Sequence, residues 1–517
     1  MDLSLASGQE DSLLLLLPAT SVLPPLLAAL LLVVGLLWLS PGGPAWALSL
    51  CRRPPPGPPG VVTALSSPVA HRVIAALSRS VQGGAALLSF SVGLTRVVVS
   101  SQPDTAREIL VNPAFGDRPV KDSARQLLFH RAMGFAPSGD AHWRALRRLG
   151  AAHLFGPRGV AASAPQRASI GESMLGDVAS LMARDGVVSP RRFLHAASLN
   201  HVMAVVFGKR YDDFASQEGA AVEEMVNEGY DLLGMFNWAD HLPFLKWLDL
   251  QGVRRRCDRL VRKVEAYVGV IIQERRAKRA AAGAGGIADE LSGDFVDVLL
   301  GLEGEDKMSD SDMIAVLWEM IFRGADTVAI LMEWIMARMV LHPEIQAKAQ
   351  AEVDAVVGRG RAVTDEDVAR LPYIQSIVKE TLRMHPPGPL LSWARLAMHD
   401  AHVGGHLVPA GTTAMVNMWA IAHDATIWPE PELFRPERFM EEDVSVLGSD
   451  LRLAPFGAGR RVCPGKMLAL ATVHLWLAQL VQKFEWAPAT SGGVDLSERL
   501  NMSLEMAAPL VCKAVAR

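Results

Sequence analysis

The sequence predicts a mainly α-helical fold with a small β portion, preceded by one membrane-spanning helix. An uncharged apolar run occupies residues 22–39 near the N-terminus. Long amphipathic patterns typical of helices extend from about residue 140 to residue 390. After Pro389 the chain changes to short strand-like segments separated by turns, at residues 402–409 and 411–417.

The apolar run favours a membrane anchor. It contains 18 residues without a charge, and a helix needs about 20 apolar residues to cross a bilayer. Acidic residues precede the run, whereas Arg52 and Arg53 follow it. A cleaved signal peptide has the opposite arrangement, with a basic N-terminus, and a buried core helix is the other alternative. By the positive-inside rule, we expect a single-pass protein with a luminal tail and a cytosolic body.

The pattern of the remaining chain predicts one large domain that a proline-rich segment connects to the anchor. We expect a luminal tail and anchor over residues 1–50, a proline-rich hinge over 51–60, and one large domain over 61–517. The tract at 280–286 is rich in alanine and glycine and predicts a surface loop. The chain has 51 basic and 55 acidic residues and a net charge of −4, which gives no reason to expect nucleic-acid binding.

The strongest chemical signal is the segment 456–465, FGAGRRVCPG. Gly457 and Gly459 permit a tight backbone path, and Pro464 suits the first turn of a helix. Cys463 is therefore expected where a loop meets a helix N-terminus, beside Arg461. Backbone N–H dipoles and a nearby guanidinium lower the pKa of a thiol. The pattern predicts a thiolate, the ligand with which a haem iron favours cleavage of the O–O bond.

Three other interpretations of this segment are available. A lone cysteine is commonly a buried free thiol. The two glycines begin like a dinucleotide-binding loop, but the third glycine and the following acidic residue are absent. A zinc site requires a second Cys or His at ligand spacing, and none is present in the sequence.

The segment resembles the cysteine-ligand loop of the cytochrome P450 superfamily, F-x-x-G-x-R-x-C-x-G, at every fixed position. The resemblance implies the P450 fold and haem b as the cofactor. It further implies that Cys463 is the axial ligand of the iron and that Phe456 and Arg461 contact the haem. Other motifs of the family follow in the expected order, so the resemblance covers essentially the whole chain.

Two of these motifs imply a buried ion network. Glu380 and Arg383 resemble the E-x-x-R pair of the family's K helix, and Arg438 resembles the third member. Without the family, Glu380 and Arg383 are an ordinary surface pair at i and i+3, worth a few tenths of a kcal/mol. The resemblance implies a structural role for all three residues, close to the haem-binding loop.

Residues 313–340 are apolar on most sides and resemble the long I helix that crosses above the haem. The resemblance implies that oxygen is activated at the segment 324–327, GADT. Thr327 can donate and accept a hydrogen bond, Asp326 can relay a proton, and Gly324 weakens the helix locally. The alternative for Thr327 is a hydrogen bond to the carbonyl one turn earlier. Arg323 replaces the usual small residue, which leaves the polarity of the pocket open.

Further residues are implied to bind the haem propionates. Trp143 and Arg147 resemble the W-x-x-x-R pair of the family's C helix and lie one turn apart, on one helix face. Indole N–H and guanidinium groups are suitable donors to a carboxylate. Arg395 is implied as a third partner, after the bend at Pro386 and Pro387. An ordinary basic amphipathic helix is the alternative for Trp143 and Arg147.

Finer details resemble the plant A-type enzymes of family 78, subfamily A: the segments 322–327, 385–389, 392–395 and 41–48. This implies hydroxylation of an apolar small molecule with O₂, electrons from NADPH through NADPH–cytochrome P450 reductase, residence in the endoplasmic reticulum membrane, and a role in plant organ growth. A haem-thiolate isomerase or dehydratase and a haem-binding protein without turnover are the alternatives. NADPH consumption with the reductase separates them from a monooxygenase.

The apolar segments 127–129, 232–236 and 390–391 are candidates for the substrate pocket, and 236–250 for a route from the bilayer. We expect a medium or long acyl chain, hydroxylated at or near its far end. Arg125 or Arg323 would then pair with the carboxylate. Terpenoids and steroids fit an aliphatic pocket equally well.

Overall fold

The computed structural model describes residues 19–49, 51, 53–211, 217–281, 294–391, 394–490 and 492–517. Three predicted features lie wholly or partly outside these ranges: the luminal tail before residue 19, residues 282–286 of the predicted loop, and residues 392–393 of the segment that resembles the plant enzymes. Within the described ranges the chain is mainly helical with small sheets, which confirms that part of the predicted fold class, while the membrane-spanning helix stays a prediction.

The helices are, in chain order, α1 (Ala19–Leu39), α2 (Pro44–Ala47), α3 (Ala70–Ser80), α4 (Pro103–Leu110), α5 (Asp122–Gln126), α6 (Ala141–Gly150), α7 (Pro157–Ala162), α8 (Ala164–Asp185), α9 (Pro190–Phe207), α10 (Gln217–Gly234), α11 (Trp238–His241), α12 (Val253–Ala281), α13 (Phe295–Leu300), α14 (Asp310–Leu341), α15 (Pro343–Val356), α16 (Asp365–Val368), α17 (Pro372–Met384), α18 (Met418–Ala422), α19 (Arg438–Glu441) and α20 (Lys466–Lys483). A π-helical turn, Ala151–Phe155, extends α6.

The strands are β1 (Leu88–Val92), β2 (Thr95–Ser100), β3 (Arg395–Leu396), β4 (Ala401–Val403), β5 (His406–Val408), β6 (Thr413–Val416), β7 (Phe484–Pro488), β8 (Glu498–Leu500), β9 (Leu504–Met506) and β10 (Cys512–Ala516). The largest sheet has the order β1-β2-β6-β3; β6 runs parallel to β2, and the other neighbours are antiparallel. The pairs β7–β10, β4–β5 and β8–β9 form two-stranded sheets.

Helix α14 is the central element of the fold. It begins after Ser309, whose side chain accepts a hydrogen bond from the backbone N–H of Asp312, and it ends just before Pro343. Its 32 residues include the predicted helix at 313–340. One apolar cluster packs on its N-terminal half with α9, α10 and α12, and a second packs on its C-terminal half with α8, α17 and α20. Burial on nearly all sides explains why its apolar residues show no single face.

The N-terminal segment contains the helix α1 over most of the predicted anchor. No helix in the described part of the chain is both long and apolar enough to cross a membrane. The proline-rich residues that follow pack on β1: the backbone N–H of Ser89 donates to the carbonyl of Pro56 (2.8 Å), and its hydroxyl donates to that of Pro55 (2.7 Å). A Cβ at Gly57 would lie 1.9 Å from the carbonyl oxygen of Ser89, so glycine permits this close approach. The predicted hinge is therefore attached to the body along β1.

Candidate active site

One cavity borders Cys463 at the middle of α14. Its volume is about 350 Å³, and residues of α4, α6, α9, α14, α20 and β6 line it. We call it the main cavity. The structure brings to its wall most of the site residues predicted from the sequence, which lie far apart in the chain: Trp143, Arg147, Thr327, Arg395, Phe456, Arg461 and Cys463.

The loop before α20 presents Cys463 to this cavity. The backbone N–H of Cys463 donates to the carbonyl of Phe456 (2.9 Å), which closes the loop. Gly459 has a positive φ of 68°, and a Cβ there would lie 2.2 Å from the carbonyl oxygen of Leu110. Glycine is therefore required by both conformation and space. The helix α20 begins at Lys466, so Cys463 lies just before the helix rather than within its first turn.

The structure corrects the predicted pKa of the Cys463 thiol. That pKa is raised rather than lowered, because burial disfavours the charged thiolate. The backbone N–H of Gly465 and the charges of Arg323 and Arg147 lower the pKa, but they do not outweigh burial. A coordinated metal cation deprotonates a thiol outright. If Cys463 is the iron ligand, as predicted, the iron rather than the helix end would supply most of the stabilisation of the thiolate.

Charged side chains in the cavity wall are strongly unbalanced. Five arginines line the main cavity, and among its lining residues they meet one carboxylate, that of Glu319: Arg118, Arg147, Arg323, Arg395 and Arg461. The pKa of Arg118 is lowered well below its ordinary value, first by burial and then by the charge of Arg395. The pKa of Arg395 falls to about 10, through burial and then the charge of Arg461. Like charges held together at low dielectric favour an anionic ligand among them.

The predicted propionate partners also have partners within the protein. The Trp143 indole N–H donates to the carbonyl of Met133 (2.9 Å), and the Arg147 guanidinium donates to that of Val462 (3.0 Å). Arg395 donates to the carbonyl of Ala458 (3.1 Å). These bonds connect α6 and β3 to the cysteine loop, and they orient the guanidinium groups along the cavity wall.

Arg461 has the largest set of such bonds. Its guanidinium donates to the carbonyls of Gly116 (2.9 Å), Met133 (3.2 Å) and Ala136 (2.5 Å), and to the carboxylate of Asp117 (3.2 Å). Its central carbon lies 4.8 Å from the centroid of the Trp143 ring. Arg461 thus holds the segment 116–136 against the cysteine loop, and its contact with a haem stays a prediction.

Helix α14 presents Thr327 to the main cavity. Thr327 is exposed within the middle of a buried helix because its side chain borders the cavity. Its hydroxyl makes no hydrogen bond to any residue that the structure describes, so the alternative of a bond to the preceding turn is not observed; Thr381 and Thr472 do make that bond. The hydroxyl is available to a ligand.

Gly324 serves helix packing rather than an opened turn. The helix continues through residues 324–327 without a break. A Cβ at Gly324 would lie 2.3 Å from Cγ2 of Val202 in α9, so only glycine allows this approach of the two helices. The carbonyl of Gly324 accepts a hydrogen bond from the Ser198 hydroxyl (3.1 Å). The weakening expected at Gly324 therefore does not interrupt the helix.

Asp326 lies on a different side of α14 from Thr327. It lines a second cavity of about 490 Å³ between α8, α9, α10 and α14, which we call the rear cavity. Its Oδ1 lies 2.9 Å from Nδ1 of His195 in α9. Successive residues of a helix point about 100° apart. Thr327 lines the main cavity and Asp326 the rear one, so the two side chains face different cavities, and their joint role in oxygen activation stays a prediction.

The predicted ion network forms as expected. Glu380 and Arg383 have no exposed side-chain surface, and two hydrogen bonds of 2.8 and 2.9 Å join them. Arg438 donates to Glu380 (3.1 Å), as does the backbone N–H of Arg435 (2.9 Å). Arg383 also donates to the carbonyl of Ala422 (2.7 Å). The network joins α17, α18 and α19 and does not line the main cavity, which agrees with a structural role.

Two of the three predicted pocket segments do not reach the main cavity. Leu127, Phe129, Leu232 and Leu233 are buried in the apolar cluster beside α14 instead. The segment 390–391 does line the cavity. Arg125 is exposed on α5 and is absent from the cavity wall, whereas Arg323 lines it and pairs with Glu319 (3.1 Å). Of the two predicted carboxylate partners, the structure retains Arg323.

The sequence profile of the cytochrome P450 family matches residues 55–511. The chain belongs to the cytochrome P450 family. It is 56% identical to cytochrome P450 78A5 of Arabidopsis thaliana, over 93% of this chain and 92% of that protein. It is 53% identical to cytochrome P450 78A11 of Oryza sativa subsp. japonica, over 92% of this chain and 89% of that one. The predicted similarity to family 78, subfamily A, is confirmed.

A solved structure supports the fold independently. A zebrafish cytochrome P450 determined with progesterone superposes with a TM-score of 0.73 at 25% identity, and the match covers 86% of this chain and 99% of that one. Together with the relatives, this similarity makes the protein a P450 monooxygenase with haem b as its cofactor, as predicted.

The described residues fit a haem. Cys463 supplies a thiol at the cavity wall for the iron, and the excess of buried arginines suits the two propionates. When bound, the haem supplies the one-electron and O₂ chemistry. Cys463 and the arginines of the cavity wall would hold this group, and Thr327 presents its hydroxyl to the same cavity.

The sequence reasoning missed Arg118, Glu319 and His195. Glu319 stands four residues before Arg323, and this spacing on a helix is a readable signal of an ion pair. Arg118 and His195 belong to no recognisable motif, because their place at the two cavities follows from packing between distant segments.

Proposed function

We propose that this P450 hydroxylates a medium or long acyl chain at or near its far end. The observation that carries the proposal is the lining of the main cavity, which is largely aliphatic and has Arg323 in its wall. Such a pocket favours an apolar ligand with one polar anchor. The apolar part of the wall is formed by Ile109, Leu110, Val202, Val205, Val206, Leu331, Leu390, Leu391, Met415 and Val416.

Arg323 is the proposed carboxylate partner. Its side chain is partly exposed, and it lies 5.8 Å from the centroid of Phe135. The Nε–H of the guanidinium donates to Glu319 (3.1 Å), and a guanidinium carries five N–H donors in all. Holding the chain at one end would place a distant carbon at the reaction centre and reduce the entropic cost of the reaction.

Binding titrations with lauric acid and a diterpene of matched size test this substrate class. A fatty acid that displaces the iron's water ligand should shift the haem spin state, and Arg323→Gln should weaken its binding about tenfold or more. A tight response to the diterpene with none to any fatty acid would contradict the proposal. Lys513→Gln, on the exposed face of β10, is the matched control for loss of a positive charge.

We further propose that the body is tethered to the cytosolic face of the endoplasmic reticulum membrane. Supporting this, α1 exposes a continuous set of apolar side chains, with Leu32 and Leu39 64% and 71% exposed. Exposed apolar residues also lie between α11 and α12, where Phe244, Trp247 and Leu250 are 60–77% exposed. Such residues suit contact with a bilayer, and they offer a lipid substrate a way in.

Protease protection on microsomes tests this location. The body should be digested from outside, and removal of residues 1–40 should reduce but not abolish membrane association. Protection of the body inside the vesicles would overturn the topology.

The electron donor proposed is NADPH–cytochrome P450 reductase, and the proposed biological role is in plant organ growth. NADPH oxidation that depends on added reductase tests the first point. Rescue of a growth phenotype by the parent gene but not by Cys463→Ala tests the second.

A further inference from the structure

Two cavities border the same turn of α14 from different sides. Thr327 lines the main cavity, and the preceding residue, Asp326, lines the rear cavity. The helix α9 crosses the same turn and also borders both cavities. Its Ser198 lines the main cavity, and its His195 lines the rear one. Because Ser198 donates to the carbonyl of Gly324, the two helices share polar contacts at the crossing.

His195 connects Asp326 to the rear cavity. Its Nδ1 lies 2.9 Å from Oδ1 of Asp326, whose side chain is 11% exposed. This contact is an ion pair by distance whose angle is not that of a hydrogen bond, so a small rotation of the ring would align the two atoms for proton transfer. Its other ring nitrogen, Nε2, is buried and has no hydrogen-bond partner among the residues that the structure describes. A buried ring nitrogen without a protein partner at a polar cavity is suited to a water molecule.

We propose that His195 delivers protons from water in the rear cavity to Asp326 for the monooxygenase reaction. Reduction of one oxygen atom of O₂ to water consumes two protons, which must reach the main cavity. One proton enters at Nε2, and the proton on Nδ1 passes to Oδ1 of Asp326. The ring returns to its neutral form, and exchange with water restores the original tautomer. Asp326, one residue before Thr327, then holds the proton at the turn of α14 that borders both cavities.

The charges around His195 suit this task. Burial lowers the pKa of His195, but Asp326 and then Glu333 raise it more, so the net pKa lies above its ordinary value. The charged and titratable groups around it are Asp326 and Glu333 of α14, Arg191 and Arg192 of α9, Asp177 and Arg184 of α8, Glu223 of α10, and Arg210 and Tyr211 after α9.

The test uses the full-length haem protein with reductase and measures NADPH oxidation, which requires no knowledge of the substrate. His195→Gln retains an N–H group but cannot carry a proton, and His195→Ala removes both properties. We expect both variants to keep the carbon monoxide spectrum and to oxidise NADPH about tenfold more slowly or worse. The ratio of rates in H₂O and D₂O should increase, because proton delivery becomes limiting. His153→Gln, an exposed histidine outside both cavities, is the matched control.

The pH profile supplies a second, independent measurement. In the parent enzyme, the rate should fall as the pH rises through the pKa of His195, since the protonated ring is the donor; His195→Gln should lose this inflection. A His195→Gln variant with the parent's rate and solvent isotope effect would overturn the proposal. If neither variant binds haem, the pH profile of the parent enzyme tests the proposal. A rate of NADPH oxidation that does not change between about pH 6 and 9 would overturn the proposal as well.

Discussion

Two groups of buried arginines in this P450 differ in how their charges are met. In the network of Glu380, Arg383 and Arg438, carboxylate oxygens and backbone carbonyls accept the guanidinium hydrogens. Around the main cavity, five arginines meet one lining carboxylate. The first group has two guanidinium groups for the single carboxylate of Glu380, and backbone carbonyls are the other acceptors. The second group has five guanidinium groups for Glu319 in the cavity wall and Asp117, which pairs with Arg461, so its excess of positive charge is larger.

The difference separates residues that hold the fold from residues that hold a ligand. Removing one partner of a buried ion pair lowers the stability of the fold, because the other charge is left buried and uncompensated. A cluster of like charges raises the free energy of the empty protein, and an anionic cofactor lowers it. Removal of a charge should therefore have opposite effects on protein stability in the two places.

The largest effect is expected at the thiol that borders the arginine cluster. Cys463→Ala should abolish monooxygenase activity and the band near about 450 nm of the reduced carbon monoxide complex, because that band reports thiolate ligation. Replacement by Ser of Cys51, Cys257 or Cys512, none of which lines the main cavity, should leave the band in place. Retention of the band by Cys463→Ala would refute the ligand assignment.

Loss of a charge from the Glu380 network should lower the free energy of unfolding more than loss of a charge from the main cavity. Glu380→Gln leaves Arg383 and Arg438 buried without a counter-charge, so we expect the free energy of unfolding to fall by about 3–5 kcal/mol. Urea unfolding of the haem-loaded protein measures this change. The control is Glu441→Gln, which breaks an exposed pair with Arg435 (3.2 Å) and should cost less than about 1 kcal/mol. Equal losses in the two variants would remove the distinction.

Around the main cavity, loss of one arginine should instead lower the affinity for haem. Arg395→Gln should weaken haem binding by about tenfold to a hundredfold, the value of one or two charge-assisted hydrogen bonds. The haem-free protein should be no less stable, because a like charge has been removed. Haem transfer to an acceptor protein and unfolding of the haem-free form measure the two quantities, with exposed Arg499→Gln as control. A destabilised haem-free protein with unchanged haem affinity would place Arg395 in a structural role.

The smallest effect is expected for two threonines in helices. One faces a cavity and the other is hydrogen-bonded within the protein, as with the two arginine groups. Thr327 faces the main cavity without a protein partner, whereas Thr381 is buried and donates to the carbonyl of Ile377 (2.9 Å). Thr327→Ala should change stability by less than about 1 kcal/mol yet increase the peroxide released per NADPH severalfold, because proton donation to bound oxygen is disturbed. Thr381→Ala should cost stability and leave the peroxide ratio unchanged. An unaltered ratio in Thr327→Ala would exclude this role.

Several features were determined by the sequence alone because they depend on local chemistry. The spacing of glycines, arginine and cysteine at 456–465 predicted a tight loop that presents the thiol, and the structure places Cys463 at the cavity wall. The long apolar run at 313–340 required burial on all sides, so α14 was predictable to within a few residues. The pair of Glu380 and Arg383 was readable from its motif, and its complete burial followed from the fold.

Tertiary structure decided the features that depend on distant neighbours. Whether Asp326 lines the main or the rear cavity depends on which helix packs on each side of α14, and sequence spacing does not contain this. The pKa of Cys463 depends on how fully the body buries the thiol, which outweighs the local dipoles that the sequence displays. Arg118 and His195 gain their positions through contacts between segments far apart in the chain. Local patterns specify which groups are present, and packing specifies their neighbours, their burial and therefore their charge.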